Sequence, residues 1–133
     1  MKIPVETVVE VVKEASAKMK DPSYSQVMVG GFVQEQPSAA KYISAHADEL
    51  GGAEGVINAI FHAALLARCF QRANNRSVRA MTFDELNHVA DGNREATLSQ
   101  LQPAVLEYIE ANIEVDPMKR VLILLALAME WVS

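Results

Sequence analysis

The sequence predicts an all-α protein, a single-domain helical bundle of six to seven helices over residues 1–133 with a buried C-terminal helix. Three observations carry that expectation. Apolar residues recur at three-and-four spacing through most of the chain. Prolines and capping residues stand at the heads of the periodic segments. The one stretch that reads as a hairpin has no third strand to support it.

Composition sets the outer bounds. Half of the 133 residues are apolar, enough for a core without disulfides, and the 22% that are charged argue against disorder. The single Cys69 has no partner within the chain, so a small buried thiol in a reducing, cytoplasmic compartment is expected. Met1-Lys2-Ile3-Pro4 leads directly to Glu6 and Glu10, unlike a secretory signal, and the most apolar run, Val121 to Met129, is too short to cross a membrane. A net charge of −5 disfavours nucleic acid as a partner and favours a basic protein surface.

In the first helix Val5, Val8, Val9, Val12, Ala15 and Met19 share a face, Pro4 suits the first turn, and Glu14 is spaced to pair with Lys18. Asp21-Pro22 ends that helix and starts a second. Within it, Val27-Met28-Val29-Gly30-Gly31-Phe32-Val33 reads either way. As a hairpin its strands are too short. As a helix, Tyr24, Val27, Met28, Gly31 and Phe32 form one stripe, and helix is the consistent reading. Interior Gly30 and Gly31 then cost on the order of 1 kcal/mol each relative to alanine. Close packing of a neighbouring helix over them is the natural offset, a kink or a break the alternative.

Pro37-Ser38 opens a third helix that Gly51-Gly52 closes, with Ile43, Ala47 and Leu50 inward. Ala53 to about Arg72 is the longest pattern and is apolar nearly all round, as a buried helix is. Asn74-Asn75-Arg76-Ser77 reads as a loop. Thr82-Phe83-Asp84-Glu85 spells a capping box, stapled by Met81 and Leu86 and stopped by Asp91-Gly92. Leu98, Leu101, Val105, Tyr108 and Asn112 keep helical spacing through Pro103, which predicts one kinked helix or two coaxial ones. Between Met118 and Val132 only Lys119, Arg120 and Glu130 are polar. That last helix is expected at the centre, or as the seam of an oligomer. No internal repeat appears at the periods of known helical arrays, and no linker divides the chain.

Four groups of residues invite a chemical reading. Glu54, Asn58 and His62 recur every four residues on the one polar stripe of the long helix; they suit acid/base work at a cleft, or merely face water. Glu85 and His88 have the Glu-x-x-His spacing of carboxylate-bridged metal bundles, but only one copy is present and Glu85 already serves the capping box. Cys69 lacks an evident base. Arg68, Arg72, Arg76 and Arg79 form a cationic ridge, read either as an anion site or as cations paired with nearby acids and the helix end.

No set of reactive side chains is complete and no cofactor motif occurs. The leading expectation is therefore a small soluble, non-catalytic protein-interaction module of adaptor, inhibitor or neutralising type, self-associating as a homodimer. One alternative is a metal-binding or acid/base bundle enzyme using His62, His88, Glu85 and Glu54. A second is an anion or nucleic-acid binder acting through the Arg68 to Arg79 ridge.

Overall fold

The computed structural model describes residues 2–133. Among them are nine α-helices and no strand: α1 (Val5–Lys18), α2 (Tyr24–Glu35), α3 (Pro37–Ala45), α4 (Ala47–Leu50), α5 (Ala53–Asn74), α6 (Phe83–His88), α7 (Arg94–Leu101), α8 (Pro103–Asn112) and α9 (Asp116–Val132). The all-helical expectation holds. Seven helices become nine because two periodic stretches are interrupted. One break is at His46. The other is at Gln102, where steric conflict with Pro103 drives the backbone to φ −142°, ψ 71° and separates α7 from α8 outright.

The core is built on α5 and α9, which pack together. Every residue from Val121 to Met129 is buried, so α9 is enclosed within a single chain as its composition predicts. Around α5 lie α1, α2, α3 and α4; around α9 lie α4, α6, α7 and α8. By composition α5, as well as the shorter Val121 to Met129 run, is apolar enough to consider for a bilayer, and among the described residues α5 alone is long enough; here it is a core helix burying Ile60, Leu65, Leu66 and Phe70.

This arrangement is a repeat. The series α1, α2, α3, α5 matches α6, α7, α8, α9, with α4 the insertion. Each packing in one unit has its counterpart: α2 on α3 and α5 as α7 on α8 and α9, α1 on α5 as α6 on α9. The units also interlock, since α1 packs on α8 and α6 on α3. Their joints share a sequence, Gln34-x-Gln36-Pro37 followed by Tyr42-Ile43-x-Ala45, and Gln100-x-Gln102-Pro103 followed by Tyr108-Ile109-x-Ala111. The expectation of no repeat at the periods of known helical arrays does not extend to this one. The unit is longer than the periods of helical arrays, and its halves clasp each other rather than stack.

Hydrogen bonds repeat with the sequence. Among the described residues, Gln36 and Gln102 are the two buried polar side chains, 2% and 1% exposed. Gln36 Oε1 accepts from the Met81 N–H at 2.8 Å, and Gln102 Oε1 from the Ile3 N–H at 2.8 Å. Met81 and Ile3 each lie two residues before the first helix of the opposite unit. His46 and Asn112 hold equivalent places, their side chains against the Tyr42 and Tyr108 carbonyl oxygens at 2.9 and 2.8 Å.

Two expected details change. On α1 the inward residues are Val8, Val11 and Ala15, whereas Val5, Val9 and Met19 are 51%, 42% and 50% exposed. On α2, which is helical throughout, Gly30 and Gly31 seat no neighbouring helix: a Cβ at either would meet nothing within 4 Å. Met28 and Phe32 make the buried contact and the glycines lie beside it. The close approach occurs at Gly55, where a Cβ would stand 1.7 Å from the Leu50 carbonyl oxygen.

Candidate functional site

The arginine ridge does not form one free patch. Arg72 makes a two-pronged ion pair with Glu14, at 3.1 and 2.6 Å, and lies 3.9 Å from Glu10. The hydrogen bond from Arg72 lowers the Glu14 pKa. Arg79 grips Glu85 through both guanidinium nitrogens, and that contact, with the Thr82 backbone, holds the Glu85 carboxyl down to about 2. Arg68, Arg72 and Arg76 do line a common open concavity of about 480 Å³. It sits at the C-terminal end of α5, however, where the Gln71 carbonyl already accepts from Asn75 and Arg76 and the helix dipole opposes an anion.

The acid/base candidates are dispersed. Glu54 and Asn58 are exposed, while His62 is half-buried with Nδ1 2.7 Å from the Tyr108 hydroxyl. Burial lowers the His62 pKa and raises that of Tyr108. Glu85 is occupied by the capping box and Arg79. His88 instead packs on Trp131, ring centroids 4.3 Å apart and the planes tilted by 43°. Among the described residues no three His, Cys, Asp or Glu side chains converge into a group that could hold a metal ion. Cys69 is 2% exposed, and burial pushes its thiol up to about 11, so it is protonated at neutral pH.

The feature the sequence reading passed over is a groove of about 450 Å³ where α6, α7 and α9 meet. Leu127, Leu101 and Trp131 supply its apolar lining, Val89 and His88 one wall, and Asp91 and Glu130 its charge. Trp131 is 58% exposed and Leu101 41%. Glu130 is fixed in place, accepting from Gln102 Nε2 at 2.7 Å. The repeat makes Leu101 conspicuous: Glu35 occupies its place in the first unit. Two signals in the sequence pointed here, the chain's single tryptophan and its position beside Glu130 at the C-terminal end of an otherwise apolar stretch.

No protein-family model, curated protein or solved structure matches the chain.

Proposed function

We propose that the chain is a non-catalytic helical interaction module that receives an apolar side chain of a partner protein in the groove beside Trp131. The observation that carries this reading is the exposure of Trp131. A tryptophan buries a large area when covered and is the residue type most enriched at binding hot spots. An isolated exposed tryptophan would mean little, but this one shares its groove with exposed Leu101 and a ring partner in His88. Asp91 and Glu130 at the groove favour a partner whose aliphatic or aromatic anchor is flanked by Lys or Arg, in keeping with the chain's net charge of −5.

Because Trp131 is the only tryptophan, its emission reports on this groove alone. The test is selection of short peptides against the protein, followed by fluorescence titration. Selected peptides are expected to carry an apolar anchor beside basic residues, to shift Trp131 emission to the blue, and to bind Leu101→Asp at least about tenfold more weakly. Peptides that bind Trp131→Ala, folded by circular dichroism, as tightly as the parent chain would overturn the reading.

A further inference from the structure

The two interlocked units give each surface an internal control. At the equivalent corners stand α1 against α8 and α6 against α3. There α6 suffices with six residues and Leu86 as its buried anchor, whereas α1 has fourteen and already fills its inward face with Val8, Val11 and Ala15. The outward apolar residues of α1 are therefore surplus to the fold.

Those residues are ordered. Exposed Val5, Val9 and Met19, with half-buried Val12 at the edge of the core, fall at the alternating four-and-three spacing of a helix–helix seam, and Ser16 takes the remaining position. Val5, Val9 and Val12 border a groove of about 240 Å³ whose other wall is α8, where Ala104 and Ala111 leave room for an approaching helix. Exposed Glu6 and Lys13 flank the same edge of the stripe, and neither makes an ion pair among the described residues. Their arrangement is self-complementary. An antiparallel copy of α1 centred between Val9 and Val12 sets Glu6 beside the partner's Lys13, and does so twice. A parallel copy gives neither charge an opposite partner.

We propose that this stripe is a homodimer seam, in which α1 of a second copy of the chain packs antiparallel across α1 and α8 about a two-fold axis between Val9 and Val12. This surface uses different helices from the Trp131 groove and stands without it.

Size-exclusion chromatography with light scattering over a concentration series tests the seam. The parent chain is expected at twice the mass of one chain and Val9→Glu at the mass of one, with helicity unchanged by circular dichroism. Glu6→Lys and Lys13→Glu should each weaken the dimer about tenfold or more, and the double exchange should restore it, because both copies reverse together. A parent chain that stays monomeric at the highest concentration, a dimer that survives Val9→Glu, or a double exchange no better than its parts would overturn the proposal. Peptide binding at Trp131 by a monomeric variant separates this result from the fate of the groove.

Discussion

Gln36 and Gln102 occupy matching joints, yet their surroundings differ. The Gln36 amide donates to the Val78 and Arg79 carbonyl oxygens, at 3.2 and 3.0 Å, and so pins a stretch in the middle of the chain. The Gln102 amide donates to Glu130, beside Trp131, while its oxygen holds Ile3 near the chain's start. What the units share is what the fold needs: a buried glutamine, a proline that breaks the helix, a Tyr-Ile pair and a side-chain bond back to the tyrosine carbonyl. What only one unit has, the long outward stripe of α1 or the apolar groove of α7 and α9, is where a role beyond folding belongs.

Replacing the glutamines tests that division most severely. Gln36→Leu strands the Met81 N–H and two carbonyl oxygens in a segment tethered at both ends, and is expected to cost about 3 kcal/mol. Gln102→Leu should cost less, about 1–2 kcal/mol, because half-buried Glu130, the acceptor it leaves without a donor, stays in contact with solvent. Urea denaturation measures both. Equal costs would break the comparison between the joints.

The glycines sharpen it at a smaller scale. Gly55→Ala forces a methyl group onto the Leu50 backbone, in the α4 insertion that the second unit lacks, and is expected to destabilise by about 2 kcal/mol. Gly30→Ala enters open space on an exposed helix and should stabilise by up to about 1 kcal/mol. Thermal melting decides the signs. Destabilisation by Gly30→Ala would restore the close packing that the sequence suggested there.

Helices, the capping box and the enclosed α9 were legible because each depends on local spacing or composition. The faces of α1 were not. Seven valines and alanines on α1 offer more than one apolar stripe, and only packing against α5 and α8 decides that Val11 goes in and Val9 stays out. Glutamine carries no strong prior for burial, so the roles of Gln36 and Gln102 emerge only once opposite units meet. The Gln-x-Gln-Pro repeat is nevertheless present in the sequence, at a separation longer than the periods of helical arrays. Among candidate site residues, Glu85 was read correctly as a capping partner, but the pairing of Arg72 with Glu14 and of His62 with Tyr108 joins residues far apart in sequence.

The equivalent tyrosines yield the smallest expected effect. Tyr42 is half-buried and packs on the His46 ring at 4.6 Å, whereas Tyr108 is 7% exposed and its hydroxyl meets His62 Nδ1. His62 Nδ1 shares a hydrogen bond with that hydroxyl that a neutral ring can make, and burial disfavours the imidazolium form. Its folded pKa therefore lies below the unfolded value of about 6.5. As pH falls through that value the unfolded chain takes up a proton that the folded chain resists, so stability declines toward acid and is recovered above neutrality. His62→Gln should flatten the stability profile on the acid side of about pH 6.5. Parallel profiles for the parent chain and His62→Gln would show that the second unit's tyrosine contact carries no proton linkage of its own.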